Sequence, residues 1–252
     1  MTTGSLGVKA ARLAIVLAVF AVWEALPRSG AINPRLLPPA SDAIAMLVDL
    51  VQRPGIRSDL MVTASEVLSA FVLAVPMGTL IGFLIAEKPY FAEVVKPLLF
   101  FAFSIPKSIF LPMFILVFGV GFAEKVGFGF FSTIFIVIMS TTTAVESVKV
   151  DHVTVARSYG ATPAQIAWRV YVPSMLPVLL EALRISMIFN LTGVILAEMY
   201  ASRDGIGHEI ANWGENFMMR QLLAGVLMVA IVAMTFNELI RWVETRCSHW
   251  RT

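Results

Sequence analysis

Lys107 is an expensive residue for its surroundings. It stands in Ser104-Ile105-Pro106-Lys107-Ser108, inside a long apolar stretch where Pro106 and Pro112 remove backbone donors and should kink or interrupt a helix. Freed backbone groups, one positive charge and the neighbouring hydroxyls of Ser104 and Ser108 could together meet an anionic solute. The competing reading is a lysine that snorkels or pairs beside the kink. Asn190 and Glu198 are two further polar residues in apolar text and join the same candidate pathway, with Asn190 the first choice for a cavity. Asn190 also shares a small, weakly polar stripe with Ser186, Gly193 and Ala197, a pattern that suits a helix contact as well as a pore lining. Glu66 is left to pair with Arg57 or with a neighbouring helix.

Other chemistry finds little support. There is no Ser/His, paired-Asp or His-x-x-Glu-His arrangement, and no G-x-x-x-x-G-K-[ST] run to cradle ATP phosphates, so no catalytic residue is expected. His152, His208 and His249 make no ligand spacing with cysteine or carboxylates, and the single cysteine, Cys247, has no partner. Neither a metal nor a cofactor is therefore expected in this chain. What remains is movement of a solute, and that requires elements that hold polar groups inside a bilayer.

The composition supplies them. Of 252 residues, 58% are hydrophobic and 14% charged, with a mean hydropathy of +0.82. A net charge of +2 with scattered basic residues argues against nucleic acid as a partner. A spanning helix needs about 20 apolar residues and must satisfy its own backbone hydrogen bonds. Six segments qualify, at roughly 12–28, 60–86, 92–120, 124–146, 174–200 and 221–244, which makes 1–252 a single all-α, polytopic membrane domain. Lys9 and Arg12 ahead of the run Leu13 to Trp23 resemble a secretory signal, but Glu24 and Pro27 interrupt the place of cleavage, so the segment is read as an uncleaved first span. The modest bias of Lys and Arg puts both termini and the 147–173 connection in the cytoplasm. Between the first two spans, residues 42–51 read as a short helix on the outer surface or on the bundle, with Ile44, Leu47, Val48 and Val51 on one face. Gly78 with Gly82, and Gly127 with Gly129, mark close helix contacts. Pro76 should kink the second span.

The connection 147–173 reads SVKVDHVTVARSYGATPAQIAWRVYVP and is too polar to cross. Residues 153–159 form a short helix, and Gly160 is placed to take the left-handed conformation that ends it. Thr162, Pro163 and Gln165 then supply an N-cap, a first-turn proline and a capping-box partner. The product is a helix, a glycine bend and a second helix that ends near Pro173 to Pro177, where the fifth span begins. A short rigid element of this kind can act as a lever that carries motion from a soluble partner into spans.

Ala156, three residues, Gly160, nine residues, Val170, one residue, Val172 and Pro173 resemble the EAA loop of ABC importer transmembrane subunits, E-A-A-x3-G-x9-I-x-L-P. Thr154 and Val155 replace the Glu and first Ala, and valine stands at both 170 and 172. The text at 104–121, 182–186, 196–207 and 225–246 is similar to the nitrate, sulfonate, taurine and thiamine-precursor branch of binding-protein-dependent permeases. That resemblance implies a type I importer permease fold in the bacterial inner membrane. It also implies a second copy or a similar subunit, two cytoplasmic ATPase subunits that bind the ATP and Mg, and an extracytoplasmic substrate-binding protein. Val155, Ala156, Arg157, Ser158, Tyr159, Gly160, Ala161, Thr162 and Pro173 become the ATPase-coupling residues. The implied solute is small and anionic, of sulfonate, nitrate, carboxylate or thiamine-precursor type. The alternative is an ion-coupled secondary transporter, but the chain shows no repeated halves, and Glu198 near a helix end is a poor ion site.

Overall fold

The computed structural model describes residues 3–247, and every element among them is helical. In chain order these are α1 (Thr3–Arg28), α2 (Ala40–Gln52), α3 (Pro54–Ala86), α4 (Pro89–Ser104), a 3-10 turn (Lys107–Phe110), α5 (Leu111–Phe118), α6 (Phe122–Glu146), α7 (Val150–Ser158), α8 (Pro163–Ile166), a π-helical turn (Ala167–Tyr171), α9 (Val172–Tyr200), α10 (Ile206–Glu215) and α11 (Met219–Cys247). Prolines at the first turns of α3, α4 and α8 sit where a missing N–H costs nothing. Pro76 does not end its helix, because α3 runs on to Ala86 with Ala74 and Gly78 buried on either side of it. His249 lies outside the described residues.

Five helices are long and apolar enough to span a bilayer, and α4 with residues 107–118 makes a sixth as a pair bent by 79°. Neither half could cross alone: 16 residues of α4 reach about 24 Å against about 30 Å of hydrocarbon. The break falls at Ile105-Pro106, as the prolines require, and leaves non-helical backbone between the two halves of the pair.

The centre of the bundle is α3, α6 and α9, drawn together by small residues. A β-carbon on Gly82 would lie 2.6 Å from the Ile138 carbonyl oxygen, and one on Gly193 2.6 Å from Ser132 Oγ. Nothing larger than glycine fits at these crossings, so the weak Gly78/Gly82 signal marks a real contact. By contrast α1 is exposed from Leu13 to Val19 and packs on α2 near its C-terminal end, where Pro27 is buried. Their junction is polar: Trp23 Nε1 donates to the Pro38 carbonyl (3.0 Å) and Ser41 N to Glu24 (2.9 Å).

The apolar face of α2 divides: Leu47 packs on the cluster of Leu50, Ile210 and Trp213, Ile44, Val48 and Val51 are exposed, and the helix also buries Ala40 and Ala43. Two alanines let α2 lie close on α11, where Asp42 also meets Arg220 at 3.2 Å. In a membrane protein the branched apolar face is free to meet lipid, so hydrophobicity alone does not say which face is inside.

Candidate functional site

The bent connection folds from its own sequence. Gly160 takes φ +78°, its N–H donates to the Arg157 carbonyl (2.9 Å), and Ala161 N donates to the Ala156 carbonyl (3.1 Å). Those two bonds make the Schellman closure of α7. Immediately after, Gln165 N donates to Thr162 Oγ1 (3.3 Å) and Thr162 N to Gln165 Oε1 (2.9 Å), which completes the capping box of α8. The second limb does not stop at Pro173, as expected from sequence. It passes through the π-helical turn at 167–171, where Val172 N reaches back to the Ala167 carbonyl, and continues as α9. A wide turn gives the proline ring room that a regular α-helix would deny it.

This knob has two faces. Val153, Ile166, Ala156, Ala161 and Tyr171 pack with Phe83 of α3, Val145 of α6 and Met175 of α9, which anchors the bend to three spans. On the other face Val155, Arg157, Ser158 and Thr162 are exposed, with Tyr159 88% and Trp168 73% accessible. Pro173, in the first turn of α9, is half-buried at the base. A rigid, bonded bend with an uncovered apolar surface is suited to being gripped.

The second feature lies at the broken span. Ser104, Lys107 and Ser108 line a cavity of about 340 Å³ with Phe103, Phe128, Ser132, Phe189 and Thr192. Lys107 Nζ sits 4.2 Å from the Phe103 ring centre and about 6 Å from Phe135 and Phe189. Among the described residues its one hydrogen bond is to the Phe103 carbonyl, at 3.4 Å. Aromatic faces hold the ammonium in place without neutralising it, as a carboxylate would. Ser132 and Thr192 spend their protons on the Phe128 and Ile188 carbonyls.

Asn190 and Glu198 do not join this cavity. Asn190 is wholly buried and its Nδ2 donates to the Val67 carbonyl at 2.7 Å, tying α9 to α3. Glu198 is also wholly buried; it accepts from Thr63 Oγ1 (2.6 Å) and Gly207 N (2.7 Å). Thr63 in turn accepts from Ile206 N (2.9 Å), and Asp59 accepts from Gly205 N (3.0 Å). The first N–H groups of α10 thus find their acceptors on α3 and α9, and Glu198 is the cap that this helix lacks in its own sequence. Both residues hold helices together, Glu198 at the end of the bundle away from the bent connection and Asn190 deeper in α9.

A buried ion pair went unread in the sequence. Lys125 Nζ lies 2.6 Å from Glu66, with the two side chains 4% and 1% accessible, and donates to Ser202 Oγ at 2.9 Å. Glu66 therefore pairs with a neighbouring helix and not with Arg57. Lys125 lies in the first turn of α6, where sequence alone does not separate it from a loop charge. A depth argument points to it: α3 outruns α6 by eight residues, so a carboxylate well inside α3 stands level with the first turn of α6.

Together these features define a transmembrane helical bundle with a polar cavity at a broken span and a protruding bent connection, the form of a membrane transport subunit. The chain belongs to the family of binding-protein-dependent transport system inner membrane components, whose model matches residues 74–249. It is 26% identical over 243 residues to the taurine transport system permease protein TauC of Escherichia coli (strain K12), covering 94% of this chain and 87% of that protein. It is 24% identical to the formylaminopyrimidine transport permease protein ThiX of Halalkalibacterium halodurans, with 93% of each covered. The aliphatic sulfonates permease protein SsuC of Bacillus subtilis (strain 168) is 23% identical, with 92% of this chain and 84% of that protein covered. A chain of the MetNI methionine ABC transporter in an inward-facing conformation shares the fold with a TM-score of 0.61 at 19% identity, over 84% of this chain and 99% of that one. The family resemblance carried by Ala156 to Pro173 and its flanking text is borne out.

Proposed function

We propose that the chain is the permease of an ATP-driven importer of small anionic solutes of sulfonate type, and that it has no catalysis of its own. The observation that carries this is the Gly160 bend, packed inward on α3, α6 and α9 and bare outward at Val155, Tyr159 and Trp168. A cytoplasmic ATPase subunit that seats this surface would move three spans at once when it closes on ATP. In this reading the bent connection and both termini are cytoplasmic, while α2 and α10 face a substrate-binding protein outside. A second copy supplies the other half of the pathway and a second ATPase. The names of the relatives, taurine and aliphatic sulfonates among them, agree with a cation at the cavity. Co-purification decides the class: ATPase activity that copurifies with this chain when neighbouring genes are coexpressed supports the reading, and its consistent absence favours an ion-coupled transporter.

Lys107 is the residue of this cavity that would meet the anion. Substituting it by methionine keeps the stem and removes the charge, so uptake of a sulfonate is expected to fall about tenfold or more while the chain still inserts. Uptake unchanged in Lys107→Met would return the lysine to a role in shaping the break.

A further inference from the structure

A second cavity has a different character. It is a groove of about 340 Å³ between α3, α9 and α11, walled by Met61, Ala64 and Val67 on one side and by Leu191, Val229 and Phe236 on the others. Its wall carries a single hydroxyl, on Thr63, and that hydroxyl is spent on Glu198. Water gains nothing there. At the mouth stands Arg57, exposed, whose Nε donates to the Val51 carbonyl at 2.7 Å. That bond fixes the guanidinium on the α2–α3 corner and leaves its two terminal nitrogens with no partner among the described residues. From Arg57 to Val67 the groove descends about 15 Å along α3, which is the hydrocarbon depth of one leaflet.

We propose that this groove holds one acyl chain of a glycerophospholipid whose phosphate is bound by Arg57. The guanidinium fork matches a phosphodiester, and its height at the end of α3 is that of a lipid headgroup. The pairing of two features selects the occupant: a guanidinium with free terminal nitrogens at the mouth and an apolar groove below it match a phosphodiester that carries an acyl chain, whereas a helix from a second copy would use the groove alone. A slender chain fills it and exchanges one apolar surrounding for another, so the headgroup contact at Arg57 decides retention.

Native mass spectrometry of the full-length chain in detergent, titrated with phosphatidylglycerol or with diacylglycerol of the same chain length, tests this without any partner subunit. The outcome is therefore separate from that of the transport reading. One retained phosphatidylglycerol per chain is expected. Retention should fall about tenfold in Arg57→Gln and be lost in Ala64→Phe, which fills the groove, and diacylglycerol should bind the natural chain no better than phosphatidylglycerol binds Arg57→Gln. If Ala64→Phe does not fold, Arg57→Gln and the headgroup comparison still decide. Equal retention of both lipids, or of phosphatidylglycerol by the natural chain and Arg57→Gln, would overturn the proposal. So would efficient crosslinking from Met61→Cys to a second copy in native membranes, which would give the groove to protein.

Discussion

Gly160→Val is expected to insert normally and to lose nearly all solute uptake. A β-carbon at this position would meet nothing within 4 Å, so crowding is not the obstacle. The obstacle is φ +78°, which costs a non-glycine residue about 1–2 kcal/mol and a β-branched one more. Valine would open the Schellman bonds to Arg157 and Ala156 and turn the exposed Tyr159 away from its present direction relative to Thr162 and Pro163. Since the bend alone sets the angle between α7 and α8, a partner that fits the present knob would not fit the altered one. Gly160→Asn is the control, because asparagine enters the left-handed region readily, and it should keep most of the uptake. Both variants are measured in vesicles, with ATPase activity followed beside solute entry. Hydrolysis that persists while transport stops would be the signature of lost coupling, whereas full uptake by the valine variant would remove the bend from the mechanism.

The second large effect concerns the other end of the bundle. In Lys125→Met the buried Glu66 loses its cation while Glu124 and Glu198 remain within electrostatic reach of it. Breaking one side of a buried pair costs about 3–5 kcal/mol, because an uncompensated charge stays in a medium that cannot solvate it. Ser202 loses its donor as well, so the 201–207 segment that seats α10 should loosen. The expected result is a chain that unfolds at clearly lower temperature in detergent and accumulates poorly. Lys125→Met combined with Glu66→Met should recover most of the loss, since an apolar pair of similar volume needs no solvation. A single variant as stable as the natural chain would mean that water or lipid headgroups reach Glu66.

Much of this protein was written in local sequence. The glycine bend, the Thr162/Gln165 capping box and the break at Pro106 depend on backbone geometry within a few residues, and each residue type there has one physical use. Apolar length alone set the membrane class. Two things were not legible. The inward face of α2 stayed open because lipid and protein interior are equally apolar, so pattern cannot rank Ile44 and Val48 against Ala40 and Ala43. The roles of Asn190, Glu198 and Lys125 were decided by partners 59 to 135 positions away in the chain, namely the Val67 carbonyl, Thr63 and Glu66. A buried polar group declares in sequence that it needs a partner; only the packing of α3, α6 and α9 decides whether that partner is a neighbouring helix or a passing solute.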